Sequence, residues 1–424
     1  MTLPITIQHL RELPTVREFL HNVGDTLRQG ISVLLLTTPV YATDTLEECL
    51  RGILLQHDLL FDEIDLMLQL DPDKPFDVLR TAIFWDETQH QNCRTLEDVL
   101  SSEGLPDVLF VRNLTPDLAA HCTNWLDLIW NWSETVHGMI GLRSSRTPAF
   151  LMCLALPPGE LPLRENPRLR ITWWWSMTTA LDVRMLIRLQ QRPDSNISLA
   201  ESIWREYVLP PLAGADVEIV SCLWEPILLN IEGLFPHLCH LAAARGWTAE
   251  KLRAWRAEDF LFPRNFVQQP TLPLSKRERI LWSVGALDYV DEFGLTLSSA
   301  ALAVLGDEDG LRHRLWRGQA ALVLPTLDEL RIQIAEELTR LMGITWIVDW
   351  LQAERSRADQ LITLPLAVEW GELEIALHKA PYHSKAMLPA VQHARSVRNR
   401  LAHYQPVSYH DYVLLIGHLH RRRG

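Results

Sequence analysis

Over the first two hundred residues the chain alternates short apolar runs with stretches of helical period. The runs are Ile31 to Leu36, Ile64 to Leu70, Val108 to Val111 and Phe150 to Leu156. Near-continuous apolar runs of strand length, separated by helical patterns, predict βαβ units around a mostly parallel sheet buried on both faces. Leu169 to Thr172 reads as a further strand. From residue 195 to about 345 such runs are missing, and helices are expected, punctuated by Pro263, Pro270, Pro273, Gly285, Gly294, Gly306 and Gly310. Within them, 274–343 reads as a winged-helix-like unit and Phe262 to Pro273 as a linker. From Ile344 onward the helical pattern continues through Trp370 to Leu377 and closes with a pair of helices. Pro389 suits a first turn, Pro406 stops that helix, and Ser408 with Asp411 forms a capping-box pattern before Tyr412, Leu415, Ile416 and Leu419.

Length turns these elements into domains. At 424 residues the chain exceeds one ordinary core. The pattern divides it into an α/β domain over 1–195, a helical middle domain over 196–343 and a helical bundle over 344–424. Apolar residues make up 47% and charged residues 22%, a folded rather than disordered composition.

A formal charge of −13 argues against coating nucleic acid through an overall positive field. Contact with nucleic acid must be local, and one basic stretch offers it: Arg395, Arg398 and Arg400, then Arg421, Arg422 and Arg423. Six cysteines have neither CxxC spacing nor zinc-finger histidines, so buried thiols in a reducing compartment are expected, with no metal and no cofactor. No apolar run approaches the eighteen or so residues of a membrane span. A cytoplasmic protein without a membrane partner is expected.

The order of strands and helices up to about residue 195 resembles the P-loop ATPase core of AAA and STAND-type proteins. On that resemblance Ile31 to Thr37 is the strand before the phosphate loop, Val108 to Val111 the Walker B strand and Phe150 to Leu156 the sensor strand. The chemistry is absent. A phosphate loop needs glycines, whose backbone N–H groups close on phosphate, and a lysine. Thr37-Thr38-Pro39-Val40-Tyr41-Ala42-Thr43-Asp44 has neither. Glu47 and Glu48 are expected in the first turn of the next helix, where carboxylates take the positive helix end that would attract phosphate. Arg112 and Asn113 stand where acids would hold magnesium. A degenerate ATPase fold, kept as scaffold or sensor, and an unrelated α/β domain are both compatible with this, and neither predicts ATP hydrolysis.

Arg398-Asn399-Arg400-Leu401-Ala402-His403 resembles the motif of HEPN ribonucleases, an Arg, a polar residue directly after it and a His four to six residues downstream. The resemblance covers about the last eighty residues. It implies that Arg398, Asn399 and His403 are catalytic, in a metal-independent endoribonuclease whose site forms where two copies of this helix meet. His403 would act as general base on the RNA 2′-hydroxyl and as acid for the leaving oxygen, and Arg398 would stabilise transition-state charge. Asn399 would orient His403 or donate to phosphate. Arg395, Arg400, Arg421, Arg422 and Arg423 are the expected RNA-binding residues.

Helical arithmetic puts Ala390, Val391, Ala394, Val397, Leu401 and Ala402 in one arc, the core-facing stripe, with Arg398 inside it. Asn399 and His403 share a face, whereas Arg398 and His403 lie about 140° apart, so one helix cannot easily aim both at one phosphate. A two-fold pair of chains would supply the missing geometry. Structural roles compete: His403 near a helix C-terminus, and Arg398 in a salt bridge to Glu372 or Glu374.

His410, His418 and His420 read as a solvated tail. Trp173-Trp174-Trp175, in a chain of sixteen tryptophans, reads as core filling or a protein interface in preference to base stacking. The resemblances imply a toxin or effector of a bacterial antiviral defence or conflict system, a homodimer acting on RNA, with other defence proteins as further partners. The alternative is a non-catalytic adaptor in a multi-protein defence complex.

Overall fold

The computed structural model describes residues 7–38, 43–69, 71–83, 93–114, 119–139, 147–155, 163–191, 197–261, 274–290, 292–351, 355–381 and 384–420. The expected linker 262–273 and Arg421, Arg422 and Arg423 lie outside them.

The N-terminal part opens with α1 (Ile7–Glu12) and α2 (Pro14–Arg28), then β1 (Ser32–Thr37), α3 (Thr43–Gln56), β2 (Phe61–Asp65), α4 (Pro75–Ile83) and α5 (Leu96–Leu100). It continues with β3 (Val108–Leu114), α6 (Ala119–Gly138), β4 (Ala149–Ala155) and β5 (Leu169–Trp173). All pairings in this sheet are parallel and the order is β2-β3-β4-β1-β5. Every residue of β1 and of β4 is buried, the signature of central strands covered on both faces. The expected phosphate-loop, sensor and Walker B strands therefore lie side by side as β1, β4 and β3. The chain has an α/β domain with a degenerate P-loop-like layout, followed by helices. Only β2 is displaced from the expected run. Leu66–Leu68 form a 3-10 turn instead, started by the Asp65 side chain, which accepts from the Met67 N–H at 3.0 Å.

The remainder is helical: α7 (Ala180–Gln190), α8 (Leu199–Ala213), α9 (Glu218–Cys222), α10 (Ile231–Ala244), α11 (Ala249–Ala254) and α12 (Lys276–Ser283). A hairpin of β6 (Leu287–Val290) and β7 (Gly294–Leu297) leads to α13 (Ser299–Leu305) and the 35-residue α14 (Glu308–Met342). Then come α15 (Trp346–Leu351), α16 (Arg355–Thr363), α17 (Trp370–Lys379), α18 (Leu388–Ala402) and α19 (Tyr409–His420). The hairpin corrects the expectation that 195–345 lacks strands. Four-residue strands are too short to leave a legible run.

The apolar core of the helical part starts with Val183 and Ile187 of α7, ahead of residue 195, and runs without a break past residue 343 to Leu419. α14 packs against α8, α18 and α19 alike, so the C-terminal helices share their core with the middle ones. The tryptophan run joins the two halves. Trp173, Trp174 and Trp175 are all buried, and Trp282 of α12 sits 5.2 Å from Trp173 and 6.4 Å from Trp175 between ring centroids. The rings fill an internal seam and present no partner surface. No helix among the described residues is long and apolar enough to cross a membrane.

Candidate active site on the C-terminal helices

The motif helix α18 forms for legible reasons. Pro389 occupies its first turn, and Ala390, Val391, Ala394, Val397 and Leu401 bury one stripe. Each fully buried Val or Leu contributes about 1.5–3 kcal/mol. Arg398 is exposed, which corrects its placement in the buried stripe; Ala402, also expected there, is exposed too. Neighbouring helices cover the stripe as far as Leu401 but leave the Arg398 side open to a groove, and a long guanidinium side chain reaches out along such an edge.

That groove, about 470 Å³, runs between α14, residues 367–371 and α18, and Arg331, Glu369, Trp370, Arg395, Arg398 and Asn399 line it. Arg331 is held by Asp328 at 2.6 Å and by the Val368 carbonyl at 2.8 Å. Glu372 is taken by Arg357 at 2.8 Å, and Glu374 by Arg395 and Gln392. Both carboxylates once open to Arg398 are thus occupied. Arg398 itself only reaches the Asn399 Oδ1 at 3.4 Å and meets no carboxylate among the described residues.

A second groove, about 460 Å³, lies on the other side of Asn399, lined by Glu374, Arg395, Asn399, Arg400, His403 and Gln405. Asn399 and Arg395 thus form a ridge between an Arg398 groove and a His403 groove. The helical separation of Arg398 from His403 persists in three dimensions, and one chain brings Asn399, but not Arg398, into the groove of His403.

Arg395 and Arg400, expected on RNA, both have internal partners. Arg400 donates to Asp411 at 2.8 Å, and Asp411 also caps α19, accepting from the Ser408 amide at 2.9 Å and hydroxyl at 2.7 Å. Partial burial alone would raise the Asp411 pKa; the Ser408 bonds and Arg400 outweigh it and hold the carboxyl at about 2. His393 lies 3.4 Å from the same carboxylate, and its ring is 5.9 Å from that of His418. His410 and His420 are exposed.

The turn after the motif was not singled out from sequence. His403 ends α18, Tyr404 N–H donates to Leu401 O at 3.2 Å, and Gln405 N–H to Arg400 O at 2.9 Å, a Schellman ending. The residue at its left-handed position is Tyr404, φ +56°, where glycine is preferred and a side chain costs about 1–2 kcal/mol. Two residues of α14 hold this turn. Trp316 Nε1 donates to Leu401 O at 2.7 Å, and the buried Gln319 side chain both donates to Val407 O and accepts from Val407 N–H at 2.8 Å. An aromatic directly after the motif histidine was visible in the sequence; its partners almost ninety residues upstream were not.

At the other end of the chain, ion pairs occupy the region where the P-loop resemblance would put a nucleotide site. Arg112, in β3 just past the expected Walker B run, donates to the fully buried Glu47 of α3 at 3.1 Å and to Glu63 of β2 at 2.9 Å. Arg51 grips Glu63 at 2.6 and 2.7 Å and Glu48 at 2.6 Å. The Arg51 hydrogen bonds, with Arg112 behind them, outweigh burial and hold the Glu63 carboxyl below its ordinary pKa. Glu47 falls in the second turn of α3, so it faces a guanidinium and not the helix end. Asn113 is in β3, and its side chain lies outside the described residues. No cluster of three or more metal-ligating side chains occurs among the described residues. Cys49, Cys93 and Cys153 are buried and free, and burial pushes the Cys49 and Cys153 thiols up.

Comparison with known proteins adds little to this geometry. No protein-family model matches the chain, and no curated protein matches it. Among solved structures it is similar to one of Drosophila ORC bound to DNA, at 14% identity and TM-score 0.33, over 98% of this chain and 73% of that one. It is also similar to one of Drosophila ORC bound to poly(dA/dT) DNA and Cdc6, at 11% identity and TM-score 0.32, over 97% and 70%. Likenesses this slight carry no argument about function.

Proposed function

We propose that the protein is a metal-independent endoribonuclease of the HEPN kind, acting in the cytoplasm as a toxin or effector of a bacterial antiviral defence or conflict system. One observation carries this reading: Arg398, Asn399 and His403 all stand exposed on one helix, and Arg398 meets no carboxylate among the described residues. A guanidinium kept only to stabilise the fold would be expected in an ion pair, as Arg395, Arg400, Arg357 and Arg331 are. RNA carries its own nucleophile. His403 removes the 2′-hydroxyl proton, the 2′-oxygen attacks phosphorus, the bond to the 5′-oxygen breaks, and a histidine returns a proton to that oxygen. The products are a 2′,3′-cyclic phosphate and a 5′-hydroxyl. Arg398 offers forked donors to the phosphoryl oxygens as charge builds. Because Arg398 and His403 face different grooves, the reading calls for a homodimer in which α18 of a second copy completes each site. The α/β and middle domains would then restrain or sense.

The adaptor reading draws support from the ion pairs of Arg395 and Arg400, which withdraw two cations of the motif helix from any ligand. RNA incubation decides between them. The wild-type chain is expected to generate cyclic-phosphate ends, and His403→Ala and Arg398→Ala to lose about 100-fold or more of that rate. Undiminished cleavage by the variants, or none by the wild type, favours the adaptor.

A further inference from the structure

Tyr404 occupies a position where the backbone favours glycine, yet the residue is 58% exposed. Backbone strain is retained where something else requires the residue. The ring is not adrift: it lies 4.4 Å from Trp316 at 33° and 6.1 Å from His313 at 22°, and His313 lies 5.7 Å from Trp316 at 29°. Three rings thus lean together in nearly parallel planes, fixed from beneath by the Trp316 bond to the Leu401 carbonyl. Partial burial, with Arg317 and Arg314 nearby, pushes the His313 pKa down and favours its neutral form. The cluster ends in an open aromatic surface on the residue directly after His403.

We propose that Tyr404, backed by Trp316 and His313, is a stacking subsite for an unpaired RNA base beside the His403 groove; this rests on the ribonuclease reading for the identity of the ligand. Flat, sequence-tolerant aromatic surfaces bind bases because every base has a π-face. Tyr404 follows His403 directly in the chain, which ties the subsite to the end of the motif helix. The subsite selects single-stranded RNA, since a base in a duplex offers no free face. It does not distinguish one base from another.

The test uses the whole chain and a fluorescent single-stranded 2′-O-methyl oligonucleotide, which lacks the nucleophile and binds without being cut. Tyr404→Ala is expected to weaken binding about 5- to 150-fold, the range for loss of one stacked base. Tyr404→Gly, which suits a positive φ, should lose as much with an unchanged unfolding midpoint, while Tyr404→Phe and Tyr404→Trp retain the affinity. An abasic site moved along the oligonucleotide should weaken wild-type binding at one position by a similar factor and Tyr404→Gly binding not at all. Equal affinity of wild type and Tyr404→Gly, or no binding by the wild type, overturns the subsite. Tyr404-dependent binding by a protein that leaves natural RNA uncut keeps the subsite and removes the ribonuclease. Cleavage of natural RNA with binding indifferent to Tyr404 does the reverse.

Discussion

Arg112 of β3 and Glu47 of α3 form an ion pair at 3.1 Å in which the carboxylate is fully buried. On the P-loop resemblance the end of this strand is where acidic residues would hold a magnesium ion. Arg112, a protein cation, stands there instead. Removing Arg112 takes this partner from the buried Glu47. Arg112→Met is expected to cost about 3–5 kcal/mol, read as a fall in the denaturant midpoint. A change under 1 kcal/mol would show that the pair is solvated and incidental.

The same pairing predicts indifference to nucleotide. Millimolar ATP with magnesium should leave the unfolding temperature of the wild type unmoved, because a ligand stabilises only as far as it binds the folded state. A rise of several degrees that scales with ATP concentration would contradict the closed site.

Asp411 couples stability to acid. Its folded pKa of about 2 lies below the ordinary 3.8, so its contribution is present above about pH 4 and is lost as the pH falls from about 4 to 2. With solvent screening that contribution is about 1–2 kcal/mol. Asp411→Asn should lower stability at pH 7 by this amount and flatten that part of the acid-unfolding curve; an unaltered curve would remove Asp411 from the account.

Gln319 fixes the turn that carries His403 and Tyr404. Its two 2.8 Å bonds to Val407 are both buried. Gln319→Leu strands the Val407 N–H and C=O at a cost of about 2–4 kcal/mol. Hydrogen exchange should quicken across residues 402–408 first. Protection unchanged in that turn would mean that Trp316 alone suffices to hold it.

The dimer reading is open to a substitution outside the proposed chemistry. Ala402 is exposed next to His403. Ala402→Glu places like charges face to face if two copies of α18 meet, at a cost of several kcal/mol to association, while stability of the monomer should shift by less than about 0.5 kcal/mol. Sedimentation should then show a monomer with cleavage abolished. Full activity from a monomeric Ala402→Glu chain would dissociate catalysis from pairing.

The sequence by itself determined what depends on local pattern. Continuous apolar runs gave β1, β3 and β4 to within a residue or a few, since a strand buried on both faces needs apolar side chains throughout. Pro389, Pro406 and the Ser408–Asp411 cap bounded α18 and α19, because caps and proline act within a few residues. The absence of glycine and lysine after β1 excluded a phosphate loop. Tertiary structure alone decided which carboxylate each arginine found. Glu47 and Arg112 are 65 residues apart, and nothing local records that they meet. It also decided that Arg398 is exposed, since helical arithmetic fixes a direction but not how far neighbouring helices cover it. The placement of Tyr404 over Trp316 came the same way, from α14 returning beneath a turn whose own sequence shows only an aromatic where glycine would be easier.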